Sequence, residues 1–271
     1  MDSVIYFYRE PLFTYRGFAV IGIVSLLLCG SLLCLRFRVG RRDRLRMLGV
    51  VLLGFGASIV MMALLSLAAQ AIYQNRIGEP RSLIWLIRHV GAVFYGCVFG
   101  YFAVLALLLP RVTARHRLGR DIWAASFALG HGFLRMGCYC NARVEDGFLV
   151  WAPCCGGIRM DNAFCRRFYD SRLPTQLIES AFAFLLFAVM LALLLRGGKR
   201  WRGRLTPLYL VAYAVFRYFI EFYREGAMSV PVGPFSYAQF FSLLILSAAL
   251  IVSVLRRKGV MKTPPEDAEG S

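Results

Sequence analysis

The hydrophobic positions of this sequence come in long blocks, and the polar positions between them come as short arginine-rich runs. A bilayer core ~30 Å thick needs about 20 apolar residues per helix. On that scale the blocks predict seven transmembrane helices, at residues 17–35, 48–73, 89–109, 122–137, 175–195, 207–222 and 235–255. The fourth is short and interrupted by glycines, which predicts a helix that packs inside the protein rather than against lipid. The expected fold class is therefore all-α, a polytopic integral membrane protein.

Composition agrees with the pattern. Of 271 residues, 59% are hydrophobic, and the mean hydropathy is +0.60. Little is left for a soluble domain, so residues 1–261 are expected to form a single transmembrane domain. The polar end, residues 262–271 with two prolines, reads as a disordered cytoplasmic tail. Residues 5–15 read as an interfacial aromatic segment. No small-residue cleavage site follows the first apolar block, so that block is expected to remain as a helix. No internal repeat of the kind found in secondary transporters is visible.

A net charge of +17 could point to nucleic acid. Its distribution points instead to membrane orientation, because lysine and arginine collect in cytoplasmic loops. Arg36, Arg38, Arg41, Arg42, Arg44 and Arg46 follow the first block, and Arg111, Arg115, Arg117 and Arg120 follow the third. Arg196, Lys199, Arg200, Arg202 and Arg204 follow the fifth, and Arg256, Arg257, Lys258 and Lys262 follow the seventh. These four runs share one side. The N-terminus is then outside and the C-terminus cytoplasmic, and no nucleic acid is expected as a partner.

Ionisable residues within membrane spans are costly and mark sites or internal pairs. His131 and Arg135 lie four apart on the fourth span, hence on one helical face. Tyr213, Arg217 and Glu221 repeat that spacing on the sixth. The fifth opens Pro174-Thr175-Gln176-Leu177-Ile178-Glu179, with proline suited to a helix start and Gln176 and Glu179 on one face. Two buried arginines on separate helices suggest an anionic ligand, since the guanidinium fork suits phosphate and keeps its charge. The alternative is a structural ion pair, such as Arg217 with Glu221 or Glu179.

Several segments then resemble a known family. Arg135-Met136-Gly137-Cys138-Tyr139-Cys140-Asn141-Ala142 is similar to the signature of prolipoprotein diacylglyceryl transferases. Phe94-Tyr95-Gly96 resembles the family's aromatic-His/Tyr-Gly element, and Pro174 through Glu179 its Pro-Ser/Thr-Gln-Leu-Tyr-Glu element. The stretch Tyr213–Arg224 resembles its Tyr-Gly-x-x-Arg-Phe-x-x-Glu-x-x-Arg segment, and Ser236–Ser242 its closing Ser-x-Gly-Gln-x-x-Ser. The order is the family's, and the likeness covers residues 88–255. The resemblance implies seven spans with the N-terminus outside, a bacterial plasma membrane location, and no cofactor.

It also implies an activity: transfer of the diacylglyceryl group of phosphatidylglycerol to the lipobox cysteine thiol of a preprolipoprotein, giving a thioether and glycerol phosphate. Arg135 and Arg217 would hold the phosphate or headgroup. Asn141 would hydrogen-bond there, Tyr213 would support Arg217, and Gln176, Glu179 and Glu221 would complete the substrate site. Many members carry histidine where this chain has Tyr95. His131, an imidazole near neutrality, is a second candidate to take the thiol proton. The chain departs from the family at Ala57-Ser58, where an arginine is usual, at Arg143, where a glutamate is usual, and at Tyr15-Arg16-Gly17.

Eight cysteines complete the picture. Cys29, Cys34 and Cys97 read as small apolar residues in or near spans. Cys138, Cys140, Cys154, Cys155 and Cys165 sit at or in the longest outer loop, where disulfides or, with His131, a zinc site are conceivable. The spacing is not the usual paired C-x-x-C, and no metal site is expected. Two rival functions remain open at this point: a catalytically degenerate relative that binds phospholipid or precursor without turnover, and a metal-handling membrane protein.

Overall fold

The computed structural model describes residues 15–77, 94–140, 143–145, 148–151, 166–167, 170–171, 173–223, 231–232 and 235–258. The interfacial aromatic segment up to residue 14, Asn141, Cys154, Cys155, Cys165, Arg224 and the polar tail lie outside these residues. Seven α-helices occur among the described residues: α1 Tyr15–Arg36, α2 Arg41–Ile77, α3 Phe94–Val112, α4 His116–Cys140, α5 Thr175–Arg196, α6 Leu205–Ile220 and α7 Tyr237–Arg257.

Among the described residues, six helices are long and apolar enough to cross a membrane; α4 is the exception. It carries His116, Arg117, Arg120, Asp121, His131 and Arg135 in 25 residues. Its middle, Ile122 to Ala128, is buried throughout, in keeping with a helix that packs inside. By contrast α1 exposes Val20, Val24, Leu28 and Leu32 at every fourth position. So continuous an apolar stripe suits lipid rather than water. The protein is thus a helical, multi-pass membrane protein.

The helices depart from the expected bounds where polar residues extend them. α2 begins at Arg41 rather than 48, so Arg41, Arg42, Arg44 and Arg46 stand on a helix and not in a loop. Asp43 in its first turn suits the positive helix end and lies 4.0 Å from Arg46. Arg46 Nη1 also donates to Val112 O (3.2 Å), satisfying a carbonyl that the end of α3 leaves without a helical partner. α4 likewise reaches from 116 to 140 instead of 122 to 137. α6 stops at Ile220, and Glu221–Tyr223 form a 3-10 turn. Three short antiparallel hairpins, unforeseen in the hydropathy pattern, lie in the connections. They pair β1 Arg143–Glu145 with β2 Phe148–Trp151, β3 Arg166–Arg167 with β4 Asp170–Ser171, and β5 Pro231–Val232 with β6 Phe235–Ser236.

The chain forms two compact units. The first comprises Met1–Phe37, Asp121–Tyr209 and Phe219–Gly226. In it, glycine lets helices meet at backbone distance: a Cβ on Gly22 would lie 2.9 Å from Gly130 O, and one on Gly130 equally near Gly22 O. Ser180 of α5 donates to Gly132 O of α4 (2.8 Å), and the Phe133 and Phe184 rings meet edge-on at 5.1 Å. Asp121, fully buried, accepts the backbone N–H of Gly203, Leu205 (3.0 Å) and Thr206 (3.3 Å). Its carboxylate therefore answers both the N–H groups and the positive end of α6. Gly203 has φ +76°, a left-handed conformation that favours glycine.

The second unit comprises Arg38–Arg120, Leu210–Tyr218 and Ala227–Ser271. Gly96 and Gly100 press α3 onto the α2 backbone. A Cβ on Gly100 would sit 2.6 Å from Ala57 O, and one on Gly96 would collide with Met62 Cα. Ser58 Oγ lies 2.8 Å from Gly54 O and 3.1 Å from Cys97 O, so its hydroxyl joins the two helices. At the start of α7, Ser236 Oγ accepts Gln239 N–H (3.2 Å) and Gln239 Oε1 accepts Ser236 N–H (3.0 Å). This reciprocal pair is a capping box.

Gly100→Leu should push α3 off α2. We expect a sharp loss of folded protein after detergent extraction, read by size-exclusion profile, while Gly49→Leu, with open space around its Cβ position, keeps the wild-type profile.

Candidate active site

In the first unit, three helices bring four polar side chains together. Proline at position 174 starts α5, and the turn that follows places Gln176 and Glu179 inward, both buried. On α4, His131 and Arg135 share a face and are buried too. The start of α6, fixed by Asp121, carries the fully buried Tyr209. Arg135 Nη2 lies 2.9 Å from Glu179 Oε1. His131 Nε2 lies 3.5 Å from the same oxygen and 3.5 Å from Arg135 Nε, which donates toward it. On the far side of the ring, His131 Nδ1 is 3.1 Å from the Tyr209 hydroxyl. Arg135 Nη1 reaches Cys138 Sγ at 4.0 Å.

The charges in this cluster are one guanidinium and one carboxylate, with a titratable imidazole between them. A buried guanidinium is tolerable only when paired, and Glu179 supplies the pairing. Tyr209 on one side of the ring and Arg135 with Glu179 on the other hold the imidazole in place.

In the second unit, Tyr95 of α3 is buried with its hydroxyl 2.5 Å from Ser242 Oγ of α7. Ser242 in turn donates to Ala238 O (2.9 Å). A serine hydroxyl has one proton, so Tyr95 is the donor in its pair with Ser242. The Tyr95 ring sits among Phe99, Tyr213 and Phe241, at centroid distances of 5.9, 5.7 and 5.6 Å. Tyr213 also meets Phe94 edge-on at 5.5 Å. One turn beyond Tyr213 on α6, Arg217 is buried, at 5% exposure.

Of the expected site residues, His131, Arg135 and Glu179 thus form one network, and Tyr95 and Tyr213 form one aromatic cluster. Gln176 is buried on α5, Glu221 is half-buried in the 3-10 turn, and Asn141 lies outside the described residues. Tyr209, Asp121 and Ser242 were not singled out from the sequence. Tyr209 had a signal, for it stands one helical turn before Tyr213. Asp121 had another, as an acidic residue directly after a basic run. Among the described residues, no group of three or more His, Cys, Asp or Glu side chains could hold a metal.

The family model for prolipoprotein diacylglyceryl transferase matches residues 6–255. The chain belongs to this family. Its relatives include the phosphatidylglycerol–prolipoprotein diacylglyceryl transferase of Finegoldia magna, 25% identical over 193 residues that span 70% of each chain. The corresponding transferase 2 of Clostridium perfringens is 29% identical over 195 residues, 68% of this chain and 70% of that one. The Bacillus cytotoxicus transferase is 32% identical over 141 residues, 51% of this chain and 50% of that one.

Membership in the diacylglyceryl transferase family gives the short motifs a physical reading. In the closing Ser-x-x-Gln-x-x-Ser element, Ser236 and Gln239 build the α7 cap and Ser242 Oγ accepts a hydrogen bond from the Tyr95 hydroxyl. In the Pro-Thr-Gln-Leu-Ile-Glu element, the proline starts the helix and the glutamate neutralises the signature arginine. At the departure in α2, Ser58 is a helix-packing hydroxyl bonded to two carbonyls.

The Arg135–Glu179 pair has a measurable consequence. Removing one partner of a buried pair costs about 3–5 kcal/mol, whereas replacing both by apolar groups is far milder. Glu179→Leu should therefore lower the thermal midpoint of the purified protein strongly, and Arg135→Met combined with Glu179→Leu should recover much of that loss. Equal midpoints for the single and double variants would show that the pair carries no such balance.

Proposed function

We propose that this protein transfers the diacylglyceryl group of phosphatidylglycerol to the lipobox cysteine of a preprolipoprotein. The observation that carries the proposal is the buried signature arginine, Arg135, held by Glu179 and backed by the His131 imidazole, in a chain of the diacylglyceryl transferase family. In the reaction the sulfur forms a C–S bond to the glyceryl carbon. The C–O bond to phosphate breaks, and its electron pair leaves on the phosphate oxygen as glycerol phosphate.

Each residue has a proposed part. Arg135 meets the headgroup phosphate and stabilises charge as it develops on the leaving oxygen. Arg217 is assigned the same chemistry by its own motif, steadied by Tyr213 one turn away. Asn141 is assigned a hydrogen bond by its motif. Gln176 and Glu221 line the substrate site in the same reading. A free thiol has a pKa of about 8.5 and must lose its proton to attack. His131 is the proposed acceptor, because its imidazole stands beside the signature Arg135 and Glu179 on the buried face of α4. Tyr95 donates its hydroxyl to Ser242, and a phenol with an ordinary pKa of about 10 is a poorer base than an imidazole.

We infer further that α4 is a seventh span. At about 1.5 Å per residue, its 25 residues are long enough for the hydrocarbon core, and Asp121, Ser126, His131 and Arg135 find partners within the protein. With seven spans, the basic runs place the N-terminus outside and the C-terminus in the cytoplasm of a bacterial plasma membrane. The Ser58 departure that suggested a degenerate binder is met by local helix packing, and nothing favours that alternative.

The test is transfer of labelled lipid from phosphatidylglycerol to a lipobox peptide in detergent or nanodiscs. Wild type is expected to form the thioether. Arg135→Ala and Arg217→Ala are each expected to lose at least about a hundredfold in rate, in the range seen when one oxyanion-stabilising donor is removed. Full activity in either variant removes that arginine from the mechanism, and an inactive, folded wild type overturns the assignment.

A further inference from the structure

We propose that the start of α2 binds the headgroup of an anionic phospholipid, at the opposite end of the helices from Tyr95. Arg38, Arg41, Arg42 and Arg44 follow closely on one another, and Asp43 is the one acid among them. Arg38, Arg41 and Arg42 are exposed and Arg44 is half-buried. The positive-inside rule accounts for basic residues at this end, but not for the way they divide into two sets. Arg46, Arg111 and Arg115 are taken up by backbone carbonyls: Arg46 Nη1 donates to Val112 O (3.2 Å), Arg111 Nη1 to Leu107 O, and Arg115 Nη1 to Arg38 O (3.4 Å). Among the described residues, the side chains of Arg38, Arg41 and Arg42 make no hydrogen bond or ion pair of this kind. Arg44 Nε is buried and has no hydrogen-bond partner among the described residues. A shielded N–H without an acceptor is costly, and a phosphate oxygen supplies one.

The first set makes a platform for the second. Arg46 ties the start of α2 to the end of α3, and Arg115 reaches back to the carbonyl of Arg38, whose φ of +52° turns the chain into α2. Beneath them Met47 is fully buried against Gly119, where an added Cβ would lie 3.0 Å from Met47 Cε. Leu109 of α3 is fully buried as well. The four arginines therefore stand on packed backbone rather than on a loose loop. All of these residues belong to the second unit.

The occupant is a phospholipid, because the basic group heads an apolar face that suits acyl chains. Leu45, Leu52 and Ile59 follow Arg41 along one face of α2, each more than half exposed. Gly49 and Gly56 lie between them with open space about their Cβ positions, which leaves the face low enough to seat a chain. A guanidinium fork matches the oxygens of a phosphate, and basic residues beside a membrane span attract anionic headgroups. A soluble anion would use the arginines alone, whereas a lipid uses both parts of the surface. At about 1.5 Å per residue, α3 carries Arg111 about 24 Å from Tyr95, and the start of α2 is bonded to the far end of α3. A lipid held here thus stands at the other end of the span from the Tyr95–Ser242 pair.

The experiment follows binding of tetraoleoyl cardiolipin to the purified full chain in neutral detergent, by native mass spectrometry and fluorescence titration. Dioleoyl phosphatidylcholine and inorganic phosphate serve as comparisons. One variant combines Arg38→Gln, Arg41→Gln and Arg42→Gln, and a second carries lysine at the same three exposed positions. The glutamine variant is expected to bind cardiolipin at least about tenfold more weakly, since each arginine near an anionic surface is worth roughly fivefold. The lysine variant keeps the charge and is expected to stay within about threefold of wild type. Wild-type binding is expected to weaken as salt rises from about 0.05 to 0.5 M, because screening shortens the reach of these charges. Unchanged affinity in the glutamine variant overturns the proposal, as does a lysine variant as weak as the glutamine one. Equally tight binding of phosphatidylcholine, or of inorganic phosphate, overturns it too, the first leaving only an apolar surface and the second a site for a soluble anion. If the glutamine variant fails to fold, the salt dependence and the two comparisons on wild type decide, and binding indifferent to salt overturns the proposal. Transfer enters none of these readouts, so their failure leaves the transferase reading standing, and an inactive wild type leaves the lipid site standing.

Discussion

A guanidinium keeps its proton, and the interior of a membrane protein has no water to shield it. The pairing of Arg135 with Glu179 is the constraint from which much of the first unit follows. It requires α5 to begin where Glu179 reaches α4, and Pro174 starts the helix there. It requires α4 and α5 to lie close, which Gly132 permits and Ser180 secures with a hydrogen bond to its carbonyl. It also helps explain why α4 can dispense with the hydrophobicity of its neighbours: His131 and Arg135 are answered by protein, and its apolar middle is buried.

The same economy of partners governs the backbone. Among apolar helices in lipid, association depends on close packing and on internal hydrogen bonds more than on the hydrophobic effect. Gly22 with Gly130, and Gly96 and Gly100 with α2, bring backbones to distances that a methyl group would forbid. Hydroxyls and carboxylates then take up groups left over at helix ends. Asp121 serves the start of α6, and Ser236 with Gln239 serves the start of α7. These residues do no chemistry in our reading, yet they set where Tyr209 and Ser242 stand, and hence where two polar clusters form.

Much of this was legible in the sequence, for definite reasons. Long apolar blocks have one stable solution in a bilayer, so the spans at α1, α5 and α7 were read nearly to the residue. The i, i+4 spacing of His131 and Arg135 placed both on one face, and the Pro-Thr-Gln-Leu-Ile-Glu run put Glu179 on an inward turn. The bounds of α2 and α4 were not legible, because arginines that look like loop residues continue a helix when their heads find water, Asp43 or the end of α3. Nor was the partner of Glu179, since two arginines were equally available by spacing and only the packing of α4 on α5 distinguishes them. Tyr209 escaped notice because a tyrosine on an apolar helix is usually core, and its hydroxyl matters only once His131 is known to lie across from it.

The replacement of histidine by Tyr95 is where sequence and structure together constrain the chemistry. Ser242 spends its only proton on Ala238 O, so Tyr95 donates to Ser242 within a shell of aromatic rings. A phenol, with an ordinary pKa of about 10, is a poorer acceptor for a thiol proton than an imidazole. If the proton is to be taken by this protein, the acceptor must be a group with an available lone pair beside a phosphate-binding cation. His131 meets that description.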